Sequence, residues 1–173
     1  LSDGIERPAH HAKRSLSVIT AWRIATDTPG YTADDMQGTG AKLTGGRWNR
    51  EGTPLVYCAS NISLACLETL VHLNAGLLPL NRYLVSIQIP PAVWQVAEQF
   101  DANNHIGWDA ISAGKVSLDY GSQWAASMRS ALLLVPSVIV PEELNILINP
   151  LHPDASTIRA SKTRKWTYHA VSR

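Results

Sequence analysis

The chain is 173 residues long, 45% hydrophobic, with 15 lysines and arginines against 14 aspartates and glutamates and a formal net charge of +1. That length suits one domain with a substantial core, and so even a charge provides no electrostatic footprint for nucleic acid or an anionic membrane surface. The longest apolar runs, such as 131–135, are too short to cross a bilayer, and two cysteines without a paired motif or ligand spacing suit a reduced, cytoplasmic protein with no metal site.

Residues 1–15, polar and holding the adjacent His10 and His11, read as a mobile leader, and 16–173 as a single domain. Leu16 to Ile24 reads as the first strand because it is rich in β-branched and apolar residues. Arg23 near its end is either a surface residue or, pointing inward, a planar fork suited to a phosphate or a buried carboxylate. Thr32, Asp34 and Asp35 can start a short turn of helix before Gly38. The glycines at 38, 40, 45 and 46 lack the lysine-serine ending of a phosphate loop and read as a connection that bends sharply or lets backbone approach a ligand.

Leu55 to Cys58, bounded by Gly52 and Pro54 before and Ser60 and Asn61 after, is a short buried strand. The helix that follows is capped by Ser60, Asn61 or Ser63, whose side-chain oxygens satisfy first-turn amides. On it Leu64, Leu67 and Val71 share one face, and Glu68 falls inside that apolar stripe. A carboxylate on the core side needs a cation, a set of donors or a proton. Glu68 is then either a fold-holding partner of Arg47 or another arginine, or an active-site acid facing a pocket.

Gly76 and Pro79 mark a loop, and Tyr83 to Ile89 alternates as a strand ended by Pro90 and Pro91. From Ala92 to Lys115 periodicity decides nothing, and loops with a short helix over the pocket are expected. Asp119 to Met128 reads as a helix with Tyr120 and Trp124 on one face. Ala131 to Val135 is a central strand apolar on both faces, a second strand covers Val138 to Val140, and Asn145 to Ile148 returns before a turn at 149–153. The end, 162–173, is basic. Short strands with few helices between them argue for an α+β domain with a largely antiparallel core.

Six separated segments carry a resemblance. They are Ala-Trp-Arg-Ile at 21–24, Gly-Gly-Arg-Trp-Asn at 45–49, Val-Tyr-Cys-Ala-Ser at 56–60, Leu-Ala-Cys-Leu-Glu-Thr-Leu-Val-His-Leu at 64–73, Ser-Ala-Leu-Leu-Leu-Val-Pro-Ser at 130–137 and Asn-Ile-Leu-Ile-Asn-Pro-Leu-His-Pro at 145–153. In this order they resemble the RES domain, the toxin half of bacterial RES–Xre toxin–antitoxin pairs, from about Val18 to Asp154. The family's usual closing pattern, an aspartate followed by an arginine, is not evident here.

The resemblance implies a fold similar to the ADP-ribosyltransferases, with two small mixed or antiparallel sheets enclosing a cleft for NAD. It implies NAD as the substrate, cleaved at the nicotinamide–ribose bond by hydrolysis or phosphorolysis. Protein ADP-ribosylation and an inactive NAD-binding module are the alternatives. The arginine, glutamate and serine that name the family map onto Arg47, Glu68 and Ser130, with Arg23 competing for the arginine. Glu68 would steady the ribosyl cation as nicotinamide leaves. Arg47 or Arg23 would grip a phosphate, Ser130 would donate to Glu68 or the ribose, and Tyr57 would stack on nicotinamide. Trp48 and Asn149 sit in matching motifs as pocket wall or scaffold. The implied partner is an Xre-family helix-turn-helix antitoxin carrying any DNA contact, so no direct nucleic-acid or membrane binding is expected of this chain.

Overall fold

Seven strands hydrogen-bond into one sheet in a computed structural model that describes residues 17–71 and 81–168. The expected leader at 1–15, the loop at Gly76 and Pro79 and the end of the basic segment at 169–173 lie outside the described residues. In chain order the strands are β1 (Ile19–Thr26), β2 (Val56–Ala59), β3 (Arg82–Ile89), β4 (Glu98–Gln99), β5 (Leu132–Pro136), β6 (Leu144–Ile148) and β7 (Arg159–Trp166). The helices are α1 (Thr39–Thr44), α2 (Ile62–Leu70), α3 (Pro91–Gln95) and α4 (Lys115–Ser127). None among the described residues is long and apolar enough to cross a membrane.

The sheet order is β4-β5-β6-β2-β1-β3-β7, antiparallel throughout except for the β4–β5 pair. An α+β class therefore holds, but the two separate sheets expected from the resemblance are joined. β1 pairs fully with β3, from Ile19↔Ile89 to Thr26↔Arg82, yet meets β2 at a single register pair, Trp22↔Ala59. Beyond that pair the strands part, and residues between 31 and 41 help line a cavity between Arg23–Thr26 and Leu55–Tyr57.

Side-chain alternation splits the core. One face carries Ala21, Val56, Cys58, Val85, Ile87, Leu132, Leu134, Ile146 and Ile148 in one cluster. The other is divided: α2 packs Leu64 and Ala65 on Ile24, Ala59 and Leu84, while α4 packs Trp124 and Ala125 with Leu133, Val135, Leu147 and the Trp48–Phe100–Trp108 aromatic group. β5 and β6 are apolar on both faces because both are covered, as the unbroken run at 131–135 implied.

Two local expectations change. Leu67 and Val71 are 39% and 58% exposed, while Leu64 and Ala65 are buried. The buried stripe of α2 is thus rotated by about one residue, 100° on a helix, toward Ala65 and Glu68. The expected strand at Val138 to Val140 is a bend, because the Ser137 hydroxyl accepts from the Ile139 and Val140 amides and takes the place of a ladder partner.

Candidate active site

Tyr57 is fixed by a loop built on Asn49. The Asn49 side-chain amide donates to the carbonyls of Ala41, Arg50 and Thr53, tying α1 and the turn at 50–53 together. Its Oδ1 accepts from the Tyr57 hydroxyl at 2.7 Å, and that hydroxyl accepts from the Trp48 amide at 3.0 Å. With both of its hydrogen-bonding roles used, the phenol cannot swing. A Cβ at Gly46 would lie 2.7 Å from the Tyr57 oxygen, so glycine is required for the loop to close over it. Burial pushes the Tyr57 phenol well above its ordinary pKa, against the opposing pull of the Trp48 amide and Arg47.

Glu68 is half-buried on α2, whose first turn is capped by the Asn61 side chain accepting from the Leu64 amide at 2.8 Å. The Glu68 Oε1 accepts from the Ser137 hydroxyl at 2.8 Å and from the Asn145 side-chain amide at 2.5 Å. Neither the expected salt bridge to Arg47 nor a hydrogen bond from Ser130 forms. The Arg47 Nη1 donates instead to the Trp108 and Ala110 carbonyls, pinning the loop at 105–110. Ser130 is buried at the opposite end of β5, where its hydroxyl accepts from Trp124 Nε1 at 3.0 Å and donates to the Leu132 carbonyl at 2.8 Å. A five-residue strand separates it from Ser137, a span of roughly 20 Å.

Both donors act on one carboxylate oxygen, and Oε2 has no partner among the described residues. The register connects this acid to Tyr57. Asn145 pairs with Ala59, and Tyr57 stands two residues earlier on the same face of β2, a rise of about 7 Å.

The wedge between β1 and β2 holds a cavity of about 330 Å³, lined among others by Arg23, Tyr31, Asp35, Gly40, Tyr57 and Arg82. Glu68 is not part of its lining; Tyr57 is the link between cavity and acid. Arg23 points into the wedge, where its Nη2 donates to the Ala33 carbonyl and, at 2.8 Å, to the Asp35 carbonyl. Burial lowers its pKa, opposed by Cys58, Asp35, Asp34 and Tyr31, and burial pushes the Cys58 thiol up to about 12 against the pull of Arg23. Cys58 is therefore a neutral core group at physiological pH rather than a nucleophile. Among the described residues no three His, Cys, Asp or Glu side chains are grouped to hold a metal.

A comparison with known families and proteins bears on this arrangement. The family model described as RES domain matches residues 20–170. The chain belongs to the RES domain family. A Prs ADP-ribosylating toxin of Sphingobium sp. (strain YBL2) is 64% identical over 148 residues, covering 85% of this chain and 92% of its own length. Proteins named Toxin Res from Yersinia enterocolitica and Photorhabdus laumondii are 37% and 39% identical, covering 76% and 72% of this chain and 85% and 78% of their own.

Within this RES chain the expected site residues fall into two groups. Tyr57 and Arg23 line one cavity at the seam of the sheet, while Glu68, outside that lining, is held on α2 by Ser137 and Asn145. Trp48 and Asn149, expected as pocket wall or scaffold, do not line the cavity and are packed in the interior. Trp48 is buried with its ring 4.8 Å from Phe100 and 6.1 Å from Trp108, and buried Asn149 donates to the Ala125 carbonyl in the last turn of α4. Ser137, Asn145, Asn49 and Arg82 were missed. Ser137 closes the 130–137 motif and Asn145 opens the 145–153 motif, so both were within the segments that carried the resemblance. What distinguishes Ser137 from Ser130 is the length of the strand between them.

Proposed function

We propose that this chain is a RES toxin that cleaves the nicotinamide–ribose bond of NAD and passes the ADP-ribosyl group to a protein. The observation that carries the reading is the half-fixed carboxylate of Glu68, one oxygen held by Ser137 and Asn145 and the other without a partner among the described residues. In NAD the leaving group is a cationic pyridinium that departs as neutral nicotinamide, and the ribose is left as an oxocarbenium-like cation. The chemistry needs a positioned negative charge more than an acid or a metal. A carboxylate that accepts the ribose 2′-hydroxyl hydrogen and faces the developing charge acts mostly in the transition state, where it raises the rate.

In this reading the Tyr57 ring holds nicotinamide by stacking, since its hydroxyl is already engaged. Arg23, fixed by the carbonyls of residues 33 and 35, offers its remaining donors to a phosphate in the wedge cavity. Arg47 acts by holding the loop at 105–110 rather than by touching the ligand. The acceptor nucleophile forms the new bond to the ribose anomeric carbon as the old one breaks, and its proton leaves to solvent or to Glu68.

The acceptor is assigned from the relative with 64% identity, whose name describes ADP-ribosylation of Prs. Transfer to water or phosphate, draining NAD, shares every step up to the acceptor. Incubation with NAD labelled in its adenylate half, in lysate and then with isolated Prs, separates the two. Label on a protein band is expected; release of nicotinamide with label only in small products, changed or not by phosphate, would replace transfer with NAD degradation. As a toxin it requires an inhibitor in its own cell, and the Xre-type antitoxin is proposed as that partner.

A further inference from the structure

Arg82 opens β3 and lines the same wedge cavity as Arg23. The two approach it differently. β1 and β3 pair so that Arg23 lies opposite Val85 and Thr26 opposite Arg82. By alternation Arg23 belongs to the face of Ala21 and Val85, while Arg82 belongs to the face of Ile24 and Leu84. Their positions are three residues apart along the ladder, about 10 Å, a gap that two long side chains can close from opposite sides of β1.

Both guanidinium groups carry a buried Nε with no hydrogen-bond partner. A buried, unsatisfied charged donor costs free energy in proportion to its desolvation, and the two arginines that carry these donors line one cavity, where a ligand can supply the anion they lack. The only carboxylate among the cavity residues, that of Asp35, is occupied by the amides of Gln37 and Thr39. Neither arginine has an ion-pair partner among the described residues. A dianion with oxygens on two adjacent phosphorus atoms supplies acceptors for two guanidinium forks at once.

We infer that Arg82 is a diphosphate-binding residue, closing with Arg23 on the bridging diphosphate of the dinucleotide. The inference rests on the NAD reading. Arg23 is the preset half, locked by its two carbonyls, and Arg82 is the half that engages when the anion arrives. Such a contact, made equally in ground state and transition state, sets affinity and leaves the chemical step alone.

The test uses the whole chain and two variants, Arg82→Gln and Arg82→Lys. For nicotinamide release from NAD, Arg82→Gln raises KM by about tenfold to a hundredfold, the loss of charge-assisted hydrogen bonds, with kcat within about twofold; Arg82→Lys recovers part of the loss. Inorganic pyrophosphate, titrated by calorimetry, binds the wild type and weakens by a similar factor in Arg82→Gln. An unchanged KM and unchanged pyrophosphate affinity in a folded Arg82→Gln overturn the inference, while NAD cleavage by the wild type leaves the functional reading standing. If the wild type leaves NAD intact, that reading falls, and the pyrophosphate titration alone decides the arginine pair. Melting temperatures of both variants separate lost binding from lost fold.

Discussion

The two serines at the ends of β5 have opposite duties, and a hydroxyl deletion at each separates them. Ser137→Ala removes a donor from the Glu68 carboxylate and releases the bend at 138–140. Loss of one hydrogen bond to a charged group, ~1.5–3 kcal/mol, corresponds to a fall in kcat of roughly tenfold to a hundredfold. Ser130→Ala leaves the indole N–H of buried Trp124 unpaired. That costs ~1–3 kcal/mol of stability and leaves kcat near the wild-type value. Steady-state nicotinamide release alongside thermal melts checks both, and a larger kcat loss in Ser130→Ala would return the site to the other end of the strand.

At the scale of elements, packing decides more than propensity. α4 crosses the loop that carries Trp48 at Gly121, where an added Cβ would lie 2.0 Å from the Trp48 carbonyl oxygen. Gly121→Ala must push the helix off the loop, costing about 3 kcal/mol or more. For a domain of this size that lowers Tm by roughly 6–12 °C, whereas Gly30→Ala, with nothing within 4 Å of its Cβ, changes Tm little. Differential scanning calorimetry of the two variants distinguishes this contact from a general effect of losing glycine.

The strands β1, β2, β3, β5 and β6 were legible because each is a run of β-branched or apolar residues ended by Gly, Pro, Ser or Asn. The strand β7 was not, since half of its side chains are charged and most are exposed. Glu68 was readable as an acid on the core side of α2, but its partners were not. Ser137, Asn145 and Asn49 act through pairing between strands distant in sequence, and period-2 or period-3.6 patterns carry no such information. Arg47 and Arg23 were not separable by pattern, because both follow small or aromatic residues in short motifs and only the wedge between β1 and β2 tells them apart.

Across the whole molecule, one hydrogen-bonded sheet has a weak seam at Trp22↔Ala59, and the proposed chemistry gathers there. The half β4-β5-β6-β2 contributes Tyr57 and Asn145, with Ser137 just beyond β5; the half β1-β3-β7 contributes Arg23 and Arg82; α2 brings Glu68 to Ser137 and Asn145. A sheet that parts in the middle creates a cavity without breaking either half: each keeps its own ladder, and one core cluster runs across the seam. The proposed distribution of labour, phosphate on one half and reacting ribose on the other, follows from that geometry.

The most direct test is nicotinamide release from NAD by the wild type and by Glu68→Gln, followed by liquid chromatography at equal, verified thermal stability. Glutamine retains the oxygen that Ser137 and Asn145 hold but carries no charge. The wild type should release nicotinamide, and the variant should do so about 10²- to 10⁴-fold more slowly. Intact NAD with the wild type, or an undiminished rate in the folded variant, would contradict the account.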